Sequence, residues 1–158
     1  MTPLDHPAAV RKFTLSAIGL ILAALTGCGM LGGSPDDPMQ KLREQIRSTV
    51  TEEQRADAML ETVDTIDQLL IESAAVMRDA ALRERTLFLD YDSTRQDYDD
   101  SFSDARRKRM QLQHALLKAH IEFKSHSSSE EWQVLSSAQA NAVSTRIEQL
   151  LAAALERG

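Results

Sequence analysis

Between Met39 and Arg157 the chain contains neither proline nor glycine, and apolar residues recur there at steps of three and four. A stretch of that length without a breaker, carrying a 3.6-residue rhythm, predicts an all-α body. Four apolar stripes can be read along it. Met39, Leu42, Ile46 and Val50 mark a short first helix. Leu60, Val63, Ile66, Leu70, Ala74, Met77, Ala81 and Phe88 mark a long second one. Leu112, Leu116, Ala119 and Phe123 mark a third, and Trp132, Leu135, Ala142, Ile147, Leu150 and Ala154 a fourth. An amphipathic helix cannot bury its stripe alone, so these must pack on one another or on a second copy.

The breaks are sought at hydroxyl residues followed three positions later by Glu or Gln, where one side chain caps an orphan amide and the other reaches back. Thr51 with Gln54, Ser93 with Gln96, and Ser128 with Glu131 fit this pattern. They predict helices over 52–91, 94–125 and 129–157. The expected fold is a short N-terminal helix followed by a three-helix antiparallel bundle or a hairpin of long helices. Tyr91, Tyr98, Phe102, Ala105, Leu112 and Leu116 hold a heptad-like phase through the middle break. A break nearer Asp100 and Ser101, or an unbroken helix over 52–125 dimerising as a coiled coil, therefore stays open. Six aspartates crowd positions 90 to 104 and favour the bundle over the rod.

The N-terminal part is of a different kind. Arg11 and Lys12 precede an uncharged run from Phe13 to Leu25, which is the charged region and short apolar region of a secretory signal. That run is shorter than the roughly 20 apolar residues a bilayer span requires. It closes on Leu25, Thr26, Gly27 and Cys28, and Cys28 is the only cysteine of the chain. This lipobox-like arrangement resembles a bacterial lipoprotein precursor. The resemblance implies diacylglyceryl attachment to the Cys28 sulfur, cleavage before it, and acylation of the new amino terminus. Residues 1–27 would be the signal peptide, 28–38 the lipidated cysteine and tether, and 39–158 the helical domain. Several acyl chains hold a protein stably where one does so only marginally. The bilayer is then met through the anchor, and Gly29 after the cysteine implies, by analogy, outer-membrane attachment facing the periplasm rather than inner-membrane retention. The tether, Gly29 to Pro38, carries three glycines, two prolines and two aspartates. A flexible decapeptide has a reach of roughly 17 Å.

Loss of the signal removes Arg11, Lys12 and Asp5, so the formal charge moves from -6 to -7. An acidic body argues against nucleic acid or anionic lipid headgroups as partners. A single cysteine allows no intrachain disulfide, so stability must come from packing.

Candidate chemistry is thin. Asp90, Asp92, Asp97, Asp99, Asp100 and Asp104 look like cation ligands, but no glycine supplies the turn and Ser101 stands where the bidentate glutamate of a calcium loop belongs. His114, His120 and His126 are six apart and point to different helix faces. No metal, no cofactor beyond the lipid on Cys28, and no catalytic residue is expected. Arg106, Arg107, Lys108 and Arg109 read as a solvated face paired with the nearby aspartates. Apart from Phe13, every aromatic lies between Phe88 and Trp132. The simplest expectation is that Phe88, Tyr91, Tyr98 and Phe102 meet around one turn while Phe123 and Trp132 straddle the other, the rings closing the two ends of the core. The sharper one is an exposed partner-binding surface formed by Phe88, Tyr91, Tyr98 and Phe102 with Arg106, Arg107 and Arg109.

Val50, Thr51, Glu52, Glu53 and Gln54 resemble the LTxxQ signature of the Spy and CpxP group of small helical periplasmic stress proteins, with valine in place of leucine. Ser127 to Trp132 stand where the second copy would fall, without its leucine and with tryptophan for glutamine. The resemblance implies ATP-independent chaperone activity, inhibition of an envelope-stress sensor, or metal sensing. The lipid anchor, the acidic body and the lack of a His/Met tract depart from that group. Two functions follow as expectations: a tethered, non-enzymatic interaction or chaperone-like protein for an unidentified envelope partner, or an assembly accessory that self-associates as a homodimer.

Overall fold

A computed structural model describes residues 37 to 156; the signal, the lipobox and most of the tether lie outside the described residues. The described residues are all-α, with four helices and no strand. They are α1 (Pro38–Thr49), α2 (Glu53–Leu89), α3 (Arg95–Ser125) and α4 (Ser129–Leu155).

Each start has a local cause. At α1, Pro38 occupies the first turn, where its missing N–H costs nothing, and the Asp37 side chain accepts from the Met39 amide at 2.9 Å. At α4, the Ser128 hydroxyl accepts from the Glu131 amide at 3.2 Å and the Glu131 carboxylate takes the Ser128 amide at 2.7 Å, the box read from sequence. The other two boxes are corrected. Thr94, not Ser93, caps α3, and its reciprocal partner is Asp97 rather than Gln96. The shorter aspartate reaches back as a glutamate would. Thr51 lies outside α2, whose N-cap is Glu52 without a side-chain bond to the helix amides.

The long unbroken helix is overturned as well. Helix α2 stops at Leu89, the chain turns through Asp90 to Thr94, and α3 returns along it. The Asp90 side chain accepts from the Asp92 amide at 3.1 Å, and the Ser93 amide donates to the Asp90 carbonyl at 3.2 Å. Aspartate offers the backbone this local alternative to helical bonding, which is why the run ends here.

Helix α2 packs against all three others, most extensively against α3, while α1 lies mainly on α4. The core is confined to one end of this arrangement. It joins Met39, Leu42 and Ile46 of α1 to Met59, Val63, Ile66 and Leu70 of α2, and to Ala119 and Phe123 of α3 and Leu135 of α4. From Ile71 to Gln111 no residue is buried. The predicted stripe of α2 therefore holds only in its first half: Met77, Ala81 and Phe88 are exposed, as is Ile147 of α4. A 37-residue helix is about 55 Å long, and its neighbours on the α4 side run out before it does.

Ion pairs lock the lower end. The Arg55 guanidinium donates to Glu131 at 2.6 and 3.1 Å, to Glu52 at 2.6 Å and to the His126 carbonyl at 3.1 Å. It thus ties the start of α2 to the α3–α4 turn. Arg43–Asp64 at 2.7 Å joins α1 to α2, and Arg146–Asp67 at 2.7 Å joins α4 to α2.

Candidate functional site: an unburied outer hairpin

The upper halves of α2 and α3 form a hairpin that buries no residue fully; Ala80, Leu87, Tyr98 and Ala105 are half-buried, and one ion pair is seen between the two helices there. Asp104 receives Arg83 at 3.3 Å from α2, and Arg107 at 2.6 Å and Lys108 at 3.1 Å from its own helix. Lys108 first, with Arg83 and Arg107 adding, holds the Asp104 carboxyl below its ordinary range. Arg95 and Asp99 are a looser pair at 3.6 Å. Arg106 and Arg109 have no ion pair among the described residues, so the expected pairing of the basic run with the aspartates holds only for Arg107 and Lys108.

The aromatics do not close the upper end. Tyr98 and Phe102 face each other with ring centroids 6.5 Å apart, and Tyr98 is half-buried. Phe88 is 81% exposed, Leu89 72%, Tyr91 100% and Phe102 51%. The simpler expectation, four rings meeting around the turn, is corrected: only Tyr98 and Phe102 meet, and Tyr91 sits in the turn itself, wholly exposed. At the opposite end the expectation concerning Phe123 and Trp132 matches the geometry, with centroids 6.4 Å apart in an edge-to-face contact. His120 lies edge-on to the same indole at 5.7 Å and Lys124 lies over it at 5.4 Å.

Two neighbouring cavities run between α3 and α4 over a floor of α2. The lower, about 470 Å³, is lined by Ile66, Leu116, His120, Trp132 and Val143. The upper, about 220 Å³, is lined by Leu70, Met77, Arg109, Leu112, Ile147 and Leu151. Their walls are almost entirely apolar. Nδ1 of His120 donates to the buried Oε1 of Gln139 at 3.1 Å, because an amide oxygen can only accept. No convergent set of acid, base and nucleophile lines either cavity. Among the described residues no group of three His, Cys, Asp or Glu could hold a metal ion, and no helix is long and apolar enough to cross a membrane. The aspartates near the turn are used locally: Asp90 by Asp92, Asp97 by Thr94, and Asp100 by Gln96 at 2.9 Å.

Compared with known proteins, the chain matches no family model, no curated protein and no solved structure. Its function must be argued from the surface just described. Sequence reasoning singled out the aromatics and arginines of that surface but missed the α3–α4 cavities and the Arg55 clamp. The cavities arise from how far apart two helices lie, which no stripe reports. The clamp joins positions more than seventy residues apart.

Proposed function

We propose that the protein is a periplasm-facing lipoprotein, anchored through acylated Cys28, that acts without catalysis as an envelope interaction or chaperone-like protein. The supporting observation is the outer hairpin, where Phe88, Leu89, Tyr91 and Phe102 stand in solvent and Arg106 and Arg109 follow Phe102 on α3. Isolated exposed apolar residues are ordinary, but four large ones on a single hairpin that buries no residue fully favour an interaction surface. The arrangement of a short helix followed by a bundle gives this surface a rigid base at the Arg55 end. The tether sets it a short distance from the membrane, outer rather than inner by the analogy drawn from Gly29. Resemblance to the LTxxQ group rests on residues 50–54 and agrees with a binding role, though Thr51 caps no helix.

The binding half of this reading is tested by suppression of aggregation of a reduced, unfolded model protein. Replacing Phe88, Tyr91 and Phe102 together by serine is expected to abolish suppression while changing unfolding free energy by less than about 0.5 kcal/mol per site. Suppression that survives the triple replacement removes the hairpin from the function. The anchor half is tested by metabolic labelling with a fatty-acid analogue. Cys28→Ser is expected to lose the label and leave the membrane fraction; an unlabelled wild-type protein refutes the lipoprotein reading.

The alternative, an assembly accessory that self-associates, is favoured by the charge order along α3, developed next.

A further inference from the structure

The bare face of the outer hairpin is the upward continuation of the face that α4 covers below. Phe88 lies eighteen residues, or five full turns, beyond Leu70, and Tyr98 and Phe102 lie the same distance before Leu116 and His120. Leu70, Leu116 and His120 all line the α3–α4 cavities. Leu151 lies at the level of Arg109 and Leu112 and α4 ends one turn further on, at Leu155, so the upper three turns of the hairpin, roughly 16 Å, present the same face with no helix of the described residues over it.

The chain carries a cover for that face. Reversed on itself between Phe102 and Ser103, α3 sets Asp97 opposite Lys108, Tyr98 opposite Arg107 and Asp99 opposite Arg106. Asp99 and Arg106 are seven residues apart and share one edge of the Phe102 stripe, where antiparallel helices exchange charges. Arg106 has no ion pair within the described residues, and Asp99 holds only the loose Arg95 contact at 3.6 Å. A parallel pairing would instead put acid on acid and base on base.

We infer that a second copy of this chain covers the outer hairpin, antiparallel about Phe102 and Ser103, with Tyr98 and Phe102 of the two copies against one another and Asp99 of each facing Arg106 of the other. The interface is isologous and closed, so it produces a dimer rather than a fibre. It rests on the reading of the hairpin as a binding surface and names the partner.

The test uses the full chain with Cys28→Ser and Ser103→Cys, treated with a short bis-maleimide. Ser103 is exposed and lies beside the two-fold axis, so the dimer is expected to cross-link in high yield at low micromolar concentration. A control with Glu61→Cys, exposed on α2 far from the axis, is expected to stay monomeric. Asp99→Arg and Arg106→Asp are each expected to reduce the Ser103→Cys product at least tenfold, and the two together to restore it. Circular dichroism on each variant confirms the helices. Absence of cross-linking in the folded protein overturns the inference, as does equal cross-linking of the control, or failure of the double replacement to restore the product. Aggregation suppression that persists without cross-linking leaves the binding surface standing with a foreign partner, so the two failures are distinguishable.

Discussion

Phe123→Ala is expected to lower the unfolding free energy by about 3–5 kcal/mol. Phe123 is fully buried, and its ring meets Trp132 edge-to-face at 6.4 Å. It is the largest wholly buried side chain among the described residues and, with the His120–Gln139 hydrogen bond and the contacts of His120 and Lys124 to Trp132, it holds α3 to α4 beside the cavities. Truncation removes both the transfer energy of the ring and its contacts, and the neighbouring cavity of about 470 Å³ gives the site no compact shell to collapse into. Domains of this size have a total stability of about 5–15 kcal/mol, so the variant should stand near the threshold of folding. Urea denaturation followed by circular dichroism checks this: the midpoint should fall with little change in slope. A midpoint within error of wild type would mean that α4 is held elsewhere.

Glu131→Ala is expected to cost about 2 kcal/mol at neutral pH, because one carboxylate serves two connections. It closes the α4 capping box on the Ser128 amide and receives Arg55 from the start of α2. Arg55 first, then the Ser128 amide, holds the Glu131 carboxyl below its ordinary value of 4.5, while Glu131 first, then Glu52, pushes the Arg55 guanidinium further up. A carboxylate with a depressed folded pKa contributes stability that is present above the unfolded pKa and lost as pH falls through the folded one. The difference between wild type and Glu131→Ala should therefore be full above about pH 5 and shrink steadily below 4.5. Asp97 and Asp104 are lowered too, Asp97 chiefly by the Thr94 hydroxyl and amide and Asp104 by Lys108, so both proteins weaken in acid and only the difference reports Glu131. A difference that does not vary between pH 7 and pH 3 would show that the clamp is not electrostatic.

The helical class was legible in residues 39–157 because the absence of breakers and the 3.6-residue rhythm are properties of the chain itself. So was the Ser128–Glu131 box, whose chemistry is complete within four residues. The Thr94–Asp97 box was missed by one position, because adjacent Ser93 and Thr94 offer the same hydroxyl and only the turn geometry chooses between them. Burial was misread more seriously. Met77, Phe88 and Ile147 continue the apolar phase of their helices, but phase says which side a residue faces and not whether anything stands there. The aromatics and arginines of the candidate site were singled out by their placement along the chain, the rings crowded between Phe88 and Trp132 and the basic run next to the aspartates. Long-range pairs such as Arg43–Asp64 and Arg146–Asp67 left no local trace.

Helix α2 passes unbroken from a fully packed lower half to an upper half with no buried residue beyond Leu70. Its amides should therefore exchange with deuterium on two scales within a single element. Those around Met59 to Ile66 open only with global unfolding, while those beyond Met77 exchange through detachment of the hairpin alone. One helix would carry two foldons without a kink or a proline between them. The outer one could unzip and close again around whatever it binds while the inner one keeps its register.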